Sequence, residues 1–359
     1  MRSKIIGGLL CVFILMGSFF QVPISCAENS KKPVEKLYTW DDTKWKVRRH
    51  YGLVAKNVAE AKIENVAFSE SVYIRRKGER TVRELDLDTK KVTKMQNYPI
   101  HTVAKRVKEF YPMGQDMLFL DSKNQLRLIG NNFYLFAKHT SAKECKKEKK
   151  HHVNIVVEGN LNPKKCWSDS GMFAYVKRNN LYVTGIPAAP KKNDDERIDC
   201  WKYEKPRVFF QGKGNQIRQV VCGQGTGSFG FNIFVLMKDG SVWGMGNNKD
   251  KLISDSEMKD YNEFVQIISK GVKKIYAGPR NMAAIKNDNA LYVWGHTMKA
   301  RSSKKHKNTA RPQKIATNVK EAAISGIDDT TLIFLKRNGV AYGMGLNSGY
   351  ILTDKYKKD

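Results

Sequence analysis

Helical patterning is what this sequence most lacks. Beyond the first 27 residues, no stretch places apolar side chains at the 3.6-residue spacing of an amphipathic helix. That excludes helix bundles and doubly wound α/β folds. Long apolar runs are missing as well: after Phe20 none exceeds about ten residues, half of what a membrane-spanning helix requires. Acidic residues are scarce, with 35 Asp and Glu against 64 Lys and Arg and a formal net charge of +29. Such an excess points to an anionic partner or surface. Catalytic signatures are absent too. There is no Gly-x-Ser-x-Gly elbow, His-Glu-x-x-His helix, P-loop or dinucleotide fingerprint, and Cys222-Gly223-Gln224-Gly225 lacks the strand-to-helix setting of a phosphate loop. Without a Cys-x-x-Cys spacing, and with His151 and His152 inside a lysine-rich stretch, no metal or other cofactor is called for. The chain therefore reads as a non-enzyme.

What is present begins with an address. Arg2 and Lys4 precede an apolar run from Ile5 to Phe20, then Pro23 and a small-residue step, Ser25-Cys26-Ala27. This is the layout of a secretory signal peptide cleaved after Ala27. Lipidation of Cys26 is the alternative. Removing Arg2 and Lys4 lowers the +29 of the whole chain to +27, and an extracellular or cell-surface location is expected.

From residue 53 onward the chain repeats itself. LVAKNVAEA (53–61), VAKRVKEFY (103–111), IISKGVKKIYAG (267–278) and KIATNVKEAAISG (314–326) share an apolar pair and an anchor valine: Val58, Val107, Val272 and Val319. Weaker copies at Leu161 and Ile217 complete a series with a period near fifty residues. About twenty residues after each anchor comes a strand, a turn and a second strand that usually ends in Gly, as in FVLMKDGSVWGMG (234–246) and LIFLKRNGVAYGMG (332–345). Asp239-Gly240 and Asn338-Gly339 predict hairpins closed by type I′ turns. Each unit supplies three or four short antiparallel strands and cannot bury both faces alone. Radial stacking solves this, so we expect an all-β propeller of six clear repeats, closing as six or seven blades. An open solenoid of the same units is the alternative. Residues 28–52 form an N-terminal segment in which LYTW (37–40) copies LYVW (291–294); it is expected to complete the last blade or start a partial seventh. Residues 53–359 hold the repeats.

VKKIYAGPRNMAAIKNDNALYVWG (272–295) resembles the repeat of the regulator-of-chromosome-condensation family, through Ala277-Gly278, Leu291-Tyr292-Val293-Trp294-Gly295 and, one unit earlier, Val242-Trp243-Gly244-Met245-Gly246-Asn247. The resemblance covers 217–345 well and 53–185 weakly. Where the family usually has a His or aromatic three residues after the repeat Gly, this chain has Asn281 and Asp329. The resemblance implies a propeller used for binding. Nuclear members act as exchange factors for a small GTPase, a role the signal peptide argues against.

Four cysteines follow the leader. Cys166 and Cys222 lie five residues after Leu161 and Ile217, and Cys145 and Cys200 lie 16 and 17 before them. In an exported protein this register predicts the disulfides Cys145–Cys166 and Cys200–Cys222, each worth about 3 kcal/mol in the chain-entropy model. Four cysteines permit two other pairings, and free buried thiols are a further reading.

Long insertions at 131–160, 186–210, 247–266 and 296–312 each follow a third strand, so they should share one rim, as binding loops do on rigid scaffolds. Lys146, Lys147, Lys149 and Lys150 make one basic lobe, and Lys299, Arg301, Lys304, Lys305 and Lys307 another. The stretch from Lys249 to Glu263 between them is net acidic, which argues against one continuous nucleic-acid track. Trp201 is the aromatic best placed for an exposed contact, whereas Trp243 and Trp294 read as blade packing. The function expected is a binding scaffold for a protein or an anionic surface polymer. The alternatives are an inhibitor of another extracellular enzyme and a propeller enzyme with a site at the channel mouth.

Overall fold

The computed structural model describes residues 10–11, 36–41, 50–66, 69–86, 100–113, 116–130, 138–139, 153–169, 172–185, 201–202, 207–224, 231–256, 259–278, 280–296, 309–325 and 331–345. Outside two short 3-10 turns, every regular element among them is a strand. The strands fall into six successive antiparallel sheets, five of four strands and a sixth of three, each taking its strands from one continuous repeat. The fold is an all-β propeller.

All six anchors are buried at 2% exposure or less. Five of them open the first strands and Leu161 precedes one, and first strands of successive blades pack against one another, which places them innermost. Five apolar cores result, one in each seam between consecutive blades. The second strands sit between two such cores. Met172–Lys177 and Asn281–Lys286 are accordingly buried at five consecutive positions, where a one-sided sheet would alternate. Burial of Met172, Phe173, Val176, Met282 and Ile285 contributes about 1.5–3 kcal/mol each.

The repeat extends to the backbone. A positive-φ residue precedes the first strand at Asn57, Arg106, Asn160, Gly212, Gly271 and Asn318, and another closes the second-to-third hairpin at Gly78, Asn124, Asn179, Gly240, Asn289 and Gly339. First strands carry a bulge just after the anchor in five blades. Third and fourth strands shift register in the same way at Val82/Arg83, Leu126/Arg127, Leu181/Tyr182, Val242/Trp243 and Leu291/Tyr292.

One expectation changes. The Asp239-Gly240 and Asn338-Gly339 hairpins are not of type I′: Gly240 N–H donates to Met237 O and Gly339 N–H to Lys336 O, and in each the Gly alone has positive φ. Each is a type I turn followed by one left-handed residue, the three-residue solution to the same strand twist. Arg178 and Asn179 instead form the two-residue loop with both φ positive. The stretch 28–52, for its part, supplies Lys36–Asp41, which pairs with His50–Lys56 in a small sheet of its own, beside Leu10–Cys11. The likeness of 37–40 to 291–294 is nevertheless physical, because the pair shifts register at Leu37/Tyr38 as third and fourth strands do.

Candidate functional site

Strand order sorts the connections onto two faces. First-to-second and third-to-fourth connections leave from one end of each blade; the second-to-third hairpins and the junctions between blades lie at the other. The second group forms a closed seam. Leu161 N–H donates to Asn124 O (3.1 Å), Gly214 N–H to Asn179 O (2.8 Å), Val272 N–H to Gly240 O (3.0 Å) and Val319 N–H to Asn289 O (2.9 Å), each a junction bonded to the turn of the preceding blade. The opposite face carries the long connections.

Those connections are shorter than the sequence suggested. Fourth strands occupy Val153–Glu158, Arg207–Phe210, Tyr261–Ile268 and Thr309–Ala316, inside the ranges read as insertions. Trimmed of these strands, the connections are 131–152, 186–206, 247–260 and 296–308, and topology assigns all four to one face. Lys146, Lys147, Lys149 and Lys150 belong to the first, Trp201 to the second, and Lys299, Arg301, Lys304, Lys305 and Lys307 to the last. The lysines and Arg301 lie outside the described residues. Trp201 is described in its backbone: Trp201–Lys202 pairs antiparallel with Lys138–His139, so the connections of the second and third blades are joined as a ribbon.

The third connection is folded inward. Asn248 is fully buried; its side-chain oxygen accepts from Ile253 N–H (2.9 Å) and its amide donates to Ser254 O (2.8 Å). Asp250, 6% exposed, receives both Nε and Nη2 of Arg280 at 3.0 and 2.9 Å, and Trp294 Nε1 donates to Leu252 O. Asp255 accepts from Ala310 N–H. The acid of this stretch is thus engaged in holding the loop. Asn281, which replaces the His or aromatic of the resembling family, is buried and donates to His296 O, while its own carbonyl accepts from Gly278 N–H. No side chain fits at Gly278, where a Cβ would stand 2.4 Å from Ile324.

On the first strands, the second residue after five of the six anchors is a polar group that sequence reasoning passed over: Glu60, Glu109, Gln219, Lys274 and Glu321. Arg75 bonds Glu60 at 2.5 Å and donates to Lys108 O in the next blade, and Lys62 reaches Phe110 O. Gln219 Nε2 donates to Ile275 O (2.8 Å), and Ile275 N–H donates back to its Oε1 (3.0 Å). Lys274 and the Tyr276 hydroxyl both bond Glu321. Burial, then the neighbouring Glu60 carboxylate, raises the Glu109 pKa. Arg75 and Lys62, Gln219, and Lys274 with Glu321 thus staple one blade to the next. Their only sequence signal is the recurrence of polar residues two positions after a buried anchor.

Cys166 and Cys222 are buried thiols. Burial, opposed by a hydrogen bond with Tyr111, pushes the Cys166 thiol up to about 12, and burial raises Cys222 well above its usual value. Cys145 and Cys200 lie outside the described residues. The equal spacing from Leu161 and Ile217 is not an equal place in the blade: Cys166 opens a four-residue strand after a 3-10 turn, whereas Cys222 is the sixth residue of Ile217–Gln224.

No protein-family model matches the chain, and no curated protein matches it in sequence. Solved structures do. Yeast RCC1 (Prp20), in its complex with Kap60, is similar over 83% of this chain and 73% of its own, with 13% identity and a TM-score of 0.56. Prp20p of Saccharomyces cerevisiae, in a structure reported with its binding properties to Gsp1p and histones, is similar over 83% of this chain and 75% of its own, again at 13% identity, with a TM-score of 0.55. Likeness at this identity concerns architecture, and the architecture is that of an RCC1-like β-propeller.

Proposed function

We propose that the chain is an exported, cell-surface binding scaffold that recognises a protein or an anionic surface polymer through the long third-to-fourth connections. The observation that carries this reading is the difference between the two faces. One is tied by short turns bonded blade to blade, and the other bears four unequal connections raised on stapled blades. Binding residues concentrate on loops held by such scaffolds. Yeast RCC1, alike in architecture, has been crystallised with a protein partner, which supports a protein ligand here. The Lys146–Lys150 and Lys299–Lys307 lobes and Trp201 belong to these connections in the sequence, which supports a site that combines charge with an aromatic contact.

Capture from cell-surface extract by the full chain, at low and high salt, tests the proposal. Reversing Lys304, Lys305 and Lys307 to Glu is expected to weaken capture while leaving thermal stability unchanged. Capture that survives high salt assigns apolar protein contacts, and capture that falls steeply assigns a polyanion. Equal capture by the reversed chain removes this lobe from the site.

A further inference from the structure

The closed face has its own charge pattern. Its hairpin turns expose Arg80, Lys123, Arg178, Lys238 and Arg337, one in each of five blades. Its blade junctions expose Lys105, Lys164, Lys213 and Lys270. Acids in the same segments are engaged locally. Asp121 accepts the N–H groups of Lys123 and Gln125, Asp239 accepts the N–H and hydroxyl of Ser241, Asp288 accepts Ala290 N–H, and Glu79 is bound by Arg83. They shape the turns, and the cations around them outnumber them. Like charges meet at one point: burial, and after it the nearby Lys238 ammonium, lower the Lys165 pKa. Of the large apolar residues exposed in the described chain, only Val340 belongs to a turn of this face; Val156, Val208, Ile315 and Tyr342 lie on strands.

We propose that this closed face is a docking surface for an anionic lipid bilayer. The cations are spread one or two per repeat over turns and junctions of successive blades, all at the same end of the blades, not gathered in one groove. A linear polyanion engages a track or groove, whereas single charges dispersed over one face suit a charged surface. With Val340 alone as an apolar candidate for insertion, attraction is electrostatic and each Lys or Arg near the surface contributes separately. The inference goes beyond the binding role assigned to the long connections and is independent of it. A propeller lying on this face would hold those connections away from the membrane, toward a partner.

Sedimentation of the full chain with vesicles of phosphatidylglycerol and phosphatidylcholine, against phosphatidylcholine alone, tests it. We expect binding to the anionic vesicles only, lost as salt rises toward 1 M, where the screening length is roughly 3 Å. Lys123→Glu, Lys238→Glu and Lys270→Glu combined should weaken binding at least roughly a hundredfold, at about fivefold per charge removed, with an unchanged circular dichroism spectrum. Lys304→Glu, Lys305→Glu and Lys307→Glu should leave vesicle binding intact. The proposal is overturned if anionic vesicles are not bound, if only the second set abolishes binding, or if soluble polyphosphate at equal charge concentration competes better than vesicles.

Discussion

Gln219 shows what a single residue contributes to a modular ring. Its amide completes both backbone bonds of Ile275, a fully buried residue of the next blade. Replacing it with Leu leaves a buried N–H and C=O unpaired, which costs about 1–3 kcal/mol for each; urea unfolding of Gln219→Leu should show a lower midpoint, by that loss divided by the slope, with the slope unchanged. Glu158 is a second tie, between the second and third blades. Burial raises its pKa, but Lys177, Gly159 N–H and the Tyr175 hydroxyl together lower it by more, so the net shift is downward. A depressed carboxylate stabilises the fold above its unfolded pKa, and that contribution is lost as pH falls through its folded value. Glu158→Gln should therefore lower thermal stability at neutral pH and converge with the parent chain in acid. Cys166 and Cys222 make a third test. As buried thiols they should resist alkylation until the chain is unfolded; a non-reduced digest of exported protein that links Cys166 to Cys145 would contradict this. The anchors were legible because burial of a Val leaves its mark every fifty residues. The staples were not, since Gln219 and Ile275 lie 56 residues apart and Tyr276 and Glu321 45 apart, and only folding brings them together.

Among elements, second and third strands were plain in the sequence and fourth strands were not. Second strands are buried on both faces and read as apolar runs. Tyr261–Ile268 and Thr309–Ala316 lie on the outer rim, with exposed and half-exposed positions and no run to notice, and so were taken for insertions. The turn at Asp239-Gly240 was located but not typed, because Asp-Gly suits both a two-residue and a three-residue closure. The connection 247–256 was judged by its net acid, whereas its fold depends on Asn248, Asp250 and a tryptophan from the next blade. Trp294→Phe keeps the packed ring and loses the bond to Leu252 O. Hydrogen exchange in 247–256 should then accelerate while Asn281–Lys286 stays protected; unchanged exchange would show that this bond does not hold the loop.

For the whole molecule, the net charge of +29 read at first as a property of two lysine-rich lobes. The ring of turns carries a second share, hidden from sequence reading because its members are spread one or two per repeat. The turns and the long connections leave from opposite ends of the blades, and the account rests on that division: long connections recognise, short turns tie the blades together. Hydrogen exchange of the full chain, free and bound to its captured surface partner, tests this most directly. The account predicts slowed exchange in 131–152, 186–206 and 297–308, with the hairpin turns unchanged by that partner. Protection confined to the turns at 122–125, 238–241 and 337–340, with the long connections unaffected, would contradict it.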